Sequence, residues 1–305
     1  MSVLTRMGEH PCAPLPRETI EARVSGCARL PSLRSVDSAL RDLLGADQRY
    51  TQQISEVIRR DPSLTSRLLR LVNSVYYGFS TPIKSIEEAV FYLGVRQIRQ
   101  LAMVTPVVED FQRLAGNTPF GWRRFWQHCI GTAMLTREVT NLISSPDDEV
   151  DYVAGLVHDV GVIVMSSAFS EHFRAIYCRG EMAVDDIRPL EREVLGMDHA
   201  ELGAIYLEQH RLPQVLVDTA RYHQEPERAA HHAQIIAAVQ IADGLARSAG
   251  IDIMPADKSA DAESWMKVTG WGILFPRRSA EEHAIAQAQL RRSMERLPQL
   301  LEGLV

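Results

Sequence analysis

Apolar residues recur along this chain at intervals of three and four, the spacing that places them on one side of an α-helix. SVDSALRDLLG (35–45) sets Val36, Leu40, Leu43 and Leu44 on one face, and Gly45 can end the helix in a left-handed conformation. RYTQQISEVIRR repeats the pattern with Ile54, Val57 and Ile58. In DPSLTSRLLRLVNSVYYG, Asp61 can accept from the free N–H groups of the first turn, Pro62 sits where its missing N–H costs nothing, and Leu64, Leu68, Leu71 and Val72 form the stripe. SIEEAVFYLG has capping-box spacing at Ser85 and Glu88 and a stop at Gly94. VRQIRQLAMVTPVV predicts a helix ended or kinked near Pro106.

The second half continues in the same way. FWQHCIGTAMLTREVTNLI, EVDYVAGLVHDVGVIVMSS, DHAELGAIYLEQH, PQVLVDTARYH and AQIIAAVQIADGLARSA all predict helices. Near the start, PRETIEARVS predicts a short helix with Pro16 in its first turn. Residues 251–265, IDIMPADKSADAESW, read as a loop, and RSAEEHAIAQAQLRRSMERLPQLLEGLV as a last helix that Pro298 breaks or kinks. The polar and apolar faces of that helix suit packing on its own domain or on a second subunit. No strand–turn–strand alternation stands out. The expected fold is all-α, many short helices around two adjoining cores.

The 305 residues are 46% hydrophobic, enough for a substantial core. A formal charge of −6 gives no electrostatic footprint for nucleic acid, which is not expected as a partner. The arginines of VRQIRQ (95–100) and WRRFW (122–126) read as solvated helix faces. Cys12, Cys27, Cys129 and Cys178 are scattered without CxxC spacing, as expected of reduced thiols rather than a zinc ribbon or redox motif. The N-terminus lacks the apolar core of a signal peptide, and no stretch reads as a membrane span. These features predict a cytoplasmic protein without a membrane partner.

Against this apolar pattern, certain polar residues are misplaced. His128 lies in FWQHCIG, His158 and Asp159 in LVHDVGVIV, His199 in DHAELGA, His223 in RYHQEP and Asp243 in VQIADGLA. A single core histidine is more often satisfied by a backbone carbonyl than by a metal. Taken together, imidazole nitrogens and carboxylate oxygens suit zinc, iron, manganese or nickel. Burying several ionisable groups unpaired is costly, so either an ion or a mutual hydrogen-bond network must satisfy them. His158 and Asp159, read as neighbours on one helix, diverge by about 100° and can still converge on an ion between them.

The chain resembles the HDOD family, bacterial signalling proteins distantly related to the HD and HD-GYP phosphohydrolases. The resemblance runs from about Leu30 to Gly250. It is carried by LPSLRSV (30–36), IRRDPSLTSRLLRLVNSVYYG (58–78), IKSIEEAVFYLGVRQIRQLA (83–102), FWQHC (125–129), GLVHDVG (155–161), DHAELGAIYLEQHRLP (198–213) and HQEP (223–226). It implies a short N-terminal extension (1–29), an N-terminal helical part (30–115), an HD-like helical part (116–250) and a C-terminal loop and helix (251–305). It also implies a regulatory role with a signalling protein as partner. The HD-type ligands carry over to His128, His158, Asp159 and Asp243 for one ion. A second ion, bridged by Asp159, would add His199 and His223. One or two divalent ions (Fe, Mn, Zn or Ni) are therefore the expected cofactors.

The departures from the family pattern bear on function. The lysine of HDxGK is replaced by Val162, the paired histidine by His223–Gln224, and the GYP signature by Glu225–Pro226. His210 stands where the family usually has tryptophan and reads as a packing substitution. Arg192 and Arg221 lie close in sequence to His199 and His223, as candidate phosphate contacts. The blocks that carry the resemblance most strongly hold no chemistry: Asn73 and Ser74 offer no nucleophile with a base. The expectation is a regulatory protein acting mainly through protein contacts, with a retained metal site. The alternative is a metal-dependent phosphohydrolase acting on a nucleotide or cyclic dinucleotide, which makes a nucleotide a candidate ligand.

Overall fold

A computed structural model describes residues 12–27, 69, 82–92, 120–143, 150–178, 186–254, 263–277 and 279–302. Among these there are α-helices and two short 3₁₀ turns and no strand, so the all-α expectation is met. Of the expected N-terminal helical part, only residue 69 and residues 82–92 are described. There the capping box forms: Ser85 Oγ accepts from the Glu88 N–H at 3.1 Å, and the Glu88 carboxylate accepts from the Lys84 N–H at 2.8 Å. The DPSLTSRLLRLVNS stripe, apart from residue 69, and VRQIRQ lie outside the described residues.

The helices are α1 (Arg17–Ser25), α2 (Trp122–Asn141), α3 (Val150–Val157), α4 (Val160–Ala168), α5 (Ser170–Tyr177), α6 (Arg188–Val194), α7 (His199–Gln209), α8 (Gln214–Tyr222), α9 (Ala233–Ser248), α10 (Gly270–Leu274) and α11 (Ala280–Glu302). Pro16 stands just before α1, where its fixed φ suits a helix start. The central helix is α2. Phe125, Trp126, Cys129, Ile130, Ala133 and Val139 are buried on it, while Arg123 and Arg124 face solvent, as read from the sequence. It packs against α3 and α9, and α7 packs against α4 and α8. Each fully buried large apolar side chain contributes roughly 1.5–3 kcal/mol, and α3, buried along its whole length, is the densest source.

Three expectations are corrected. EVDYVAGLVHDVGVIVMSS is not one helix: α3 ends at Val157, His158 and Asp159 form a turn, and α4 starts at Val160. Asp159 lies at φ −101°, ψ 19°, outside helical geometry, and the His158 ring bonds the Gly155 carbonyl at 2.7 Å, competing with the helix ladder. By length and composition this same stretch, Val150–Ala168, could cross a membrane, contrary to the sequence reading, but 94% of its most apolar window is buried inside the protein. Finally, Pro298 does not break α11, which continues through it to Glu302; Leu297 and Leu301 are buried and pack against Gly131 of α2. Thus α11 packs on its own chain. The loop expected at 251–265 is seen at 251–254, but Ser264–Lys267 forms a 3₁₀ turn that buries Trp265.

Candidate metal centre

Two glycine contacts bring the ligand-bearing elements together. At Gly155 on α3, a Cβ would stand 2.7 Å from the Ala133 Cα of α2, so only glycine lets α3 approach closely enough to set His158 beside His128. At Gly161 on α4, a Cβ would stand 1.8 Å from the His199 carbonyl oxygen. That close crossing of α4 and α7 sets His199 beside Asp159. Asp198 starts α7, its Oδ1 accepting from the Glu201 N–H at 2.9 Å.

The result is a buried centre built around Asp159. On one side the donor atoms of His128, His158 and Asp159 lie within 4.8 Å of one another, and on the other those of Asp159, His199 and His223. Asp159 Oδ2 is 3.2 Å from His158 Nε2 and 3.6 Å from His128 Nε2. Its Oδ1 is 3.3 Å from His199 Nε2 and 3.4 Å from His223 Nε2. The two histidines of the first side are 3.3 Å apart through their Nε2 atoms. Asp243, on α9, is adjacent: its Oδ1 is 3.1 Å from His128 Nε2, but it also accepts from Arg247 Nε at 2.9 Å, and it belongs to neither three-residue group.

Proton placement follows from the other ring nitrogens. His128 Nδ1 faces the Ile251 carbonyl at 2.9 Å, His158 Nδ1 the Gly155 carbonyl at 2.7 Å and His223 Nδ1 the Ala220 carbonyl at 2.9 Å. His199 Nδ1 faces a carboxylate oxygen of Glu191 at 2.7 Å. These oxygens only accept, so each Nδ1 carries a proton and each ring turns its Nε2 inward. Four Nε2 atoms therefore converge on the two oxygens of one buried carboxylate. Asp159 Oδ1, Asp159 Oδ2 and His223 Nε2 are sealed from solvent without a hydrogen-bond partner. Each such group costs about 1–3 kcal/mol.

A cation would relieve this arrangement. Donor atoms around a four-coordinate ion at about 2.1 Å lie about 3.4 Å apart, which the observed separations match. The residues fit one or two divalent transition ions. Such an ion would lower the pKa of a bound water and polarise a phosphoryl oxygen.

Electrostatics show the same imbalance. Burial would raise the Asp159 carboxyl, but His158 and His199 hold it well below the usual range. Burial would also raise Asp243, but Arg247 and then His128 hold it far lower. For the histidines burial works downward. It pushes His223 to about 3. At His199 the neighbouring Glu191 and Asp159 outweigh burial and raise it well above the ordinary value; at His128, Asp243 does so. His199 and His223 thus share Asp159 yet shift in opposite directions, because only His199 has a second carboxylate behind it.

Two contributing residues, Glu191 and Arg247, did not stand out in the sequence, and a third, Gln224, stood out only as a lost ligand. Glu191, fully buried on α6, holds His199 through both its Nδ1 and its backbone N–H and accepts from Tyr177 O–H at 2.5 Å. It lies in RPLEREV, a charged run that reads as a solvated helix. Arg247 is one helical turn beyond Asp243, and that i,i+4 spacing was the available signal. Gln224, in place of a paired histidine, brings its amide within 3.5 Å of His199 Nε2.

The expected phosphate contacts are not assembled. Arg192 pairs with Asp198, and Arg221 lies between Glu201 and Glu208. Val162, in the lysine's place, is fully buried apolar core. His210 stacks edge-on against Tyr206 at 4.4 Å and belongs to neither ligand group, in line with packing. The four cysteines are free.

The profile of the HDOD domain matches residues 30–226, and the chain belongs to the HDOD family. It is similar to an HDOD domain protein of unknown function from Geobacter sulfurreducens, at 22% identity and a TM-score of 0.76, covering 95% of this chain and 99% of that one. It also resembles a candidate signal transduction protein from Marinobacter aquaeolei VT8 (19%, TM-score 0.67, 97% and 63% covered). A candidate phosphohydrolase from Shewanella amazonensis SB2B is similar too (20%, TM-score 0.62, 94% and 98% covered). An uncharacterized protein of Treponema pallidum (strain Nichols) is 25% identical over 235 residues, 74% of this chain; the match spans 44% of that relative's length.

Proposed function

We propose that this protein is a bacterial signal-transduction regulator that works through contacts with a signalling protein in the cytoplasm, and that its HD-type centre holds metal mainly to fix the helices. The observation that carries this reading is the sealed state of the centre. His128, His158 and His223 are fully buried, Asp159 and His199 are 1% and 3% exposed, and the nearby arginines are engaged by carboxylates rather than left for a phosphate. Bound metal would tie α2, the α3–α4 turn, α7 and the end of α8 to one point. Helix positions would then report metal occupancy to a partner.

The second reading, a metal-dependent phosphohydrolase acting on a nucleotide or cyclic dinucleotide, is supported by one feature. Asp159 offers one oxygen to each group, as a two-metal hydrolytic site requires. Elemental analysis of tag-free protein beside His158→Ala/Asp159→Ala, followed by phosphodiester and cyclic-dinucleotide assays, separates the two. Stoichiometric metal that the double variant lacks, with no metal-dependent turnover, is the expected result. Turnover abolished by His158→Ala would make the protein a hydrolase. Metal-free wild type would leave the centre a hydrogen-bonded relic.

A further inference from the structure

We infer that the two positions around Asp159 fill unequally: the His199–His223 side takes the first divalent ion, and Arg247 keeps the His128–His158 side weak. This rests on the metal-centre reading above and concerns how that centre is regulated.

The two sides differ in what stands behind them. Behind His199 is the carboxylate of Glu191, fully buried, accepting from His199 Nδ1 at 2.7 Å and from its backbone N–H at 3.0 Å. A carboxylate there makes the imidazole more basic and draws a cation. Beside His128 the arrangement is reversed. The Asp243 oxygen that lies 3.1 Å from His128 Nε2 is already bonded to Arg247 Nε at 2.9 Å. The Arg247 side chain is 31% exposed, and its guanidinium, which faces Asp243, Asp252 and Asp159, stays charged at every working pH. A fixed cation next to a ligand carboxylate lowers that carboxylate's capacity as a donor and repels an incoming ion.

Charge balance agrees. Three buried carboxylates, Asp159, Asp243 and Glu191, face one guanidinium, and imidazoles that ligate an ion do so as neutral rings. A single divalent ion cancels the excess. A second leaves a buried positive charge that needs an anion beside it. Arg247 thus stands in for part of the second ion's charge.

The test is equilibrium dialysis of the demetallated full chain against Mn²⁺ alone, counting bound metal by elemental analysis. Wild type should bind one ion tightly and a second about 10–100-fold more weakly. Arg247→Gln should close most of that gap, while Arg247→Lys, which keeps the charge, should preserve it. His199→Ala should lose the tight ion and His128→Ala should retain it. This pair decides the order of filling even if Arg247→Gln does not fold. Two equal ions in wild type, or a tight ion that His128→Ala removes and His199→Ala spares, would overturn the inference. An unchanged gap in a folded Arg247→Gln would overturn the role of Arg247. Absence of any bound ion would sink the metal-centre reading itself, and this inference with it.

Discussion

Two neighbouring regions of the protein hold buried or half-buried charge in opposite ways. Around α6, α7 and α8, opposite charges meet: Arg188 forks onto Asp186, Arg192 onto Asp198, and Arg221 sits between Glu201 and Glu208. Around Asp159, four imidazole Nε2 atoms crowd one buried carboxylate. In the first region each arginine has a carboxylate within ion-pair distance. In the second the carboxylate oxygens are sealed from solvent among ring nitrogens, an arrangement that a cation would satisfy. Composition cannot separate them, since both are mixtures of Asp, Glu, His and Arg. Which groups the helices set face to face does.

The largest expected effect comes from forcing the second region apart. Gly161→Val places side-chain carbon where the His199 carbonyl already is, so it should cost about 3 kcal/mol or more and abolish metal binding. Thermal unfolding and elemental analysis check this, and a variant with wild-type Tm would show that α4 and α7 do not need the contact. Asp159→Ala should remove the shared ligand and with it both ions, leaving a folded, metal-free protein whose Tm no longer responds to a chelator. If metal persisted, Asp159 would not be the hub.

Glu191→Gln keeps the size of the side chain but removes its charge. It should weaken the tight ion by roughly 10–100-fold without unfolding the protein, read by metal titration. A pH series sharpens the contrast further. In metal-free protein the raised His199 contributes stability that is present below its ordinary pKa and lost as pH rises through the raised value. His223, lowered to about 3, acts in the other sense and opposes folding as pH falls from about 6.5 toward that value. An ion needs the His199 Nε2 free of its proton, and His223 is already neutral above about pH 3, so affinity should keep rising as pH climbs above the ordinary histidine range. A flat profile there would mean that His199 is not a ligand.

The smallest effect belongs to the first region. Arg192→Gln breaks a pair whose arginine is 53% exposed, and stability should change by no more than about 0.5–1 kcal/mol, with metal content untouched. Loss of metal in this variant would show that the two regions are coupled, and the comparison would need redrawing.

The sequence by itself determined the helical class, the start of α1, the cap at Ser85 and the identity of the residues that gather at the centre. These follow from short-range rules, namely apolar spacing, capping chemistry and the cost of placing His or Asp in an apolar run. Three of the four rings are satisfied by a backbone carbonyl on one nitrogen, as the sequence suggested for a core histidine, and turn the other toward Asp159. The tertiary structure alone decided the rest. Continuous apolar residues from 150 to 168 hid the turn that aims His158 and Asp159, because periodicity does not register a change in backbone dihedrals at two polar residues. Glu191 was hidden in a charged segment, because its burial comes from α6 packing beside α5 and from Tyr177, not from its sequence neighbours. Asp243 read as a ligand, yet its partnership with Arg247 emerged only when α9 brought both beside His128. Spacing along a chain fixes which face a residue occupies, but which charges share a low-dielectric interior is set by helices distant in sequence.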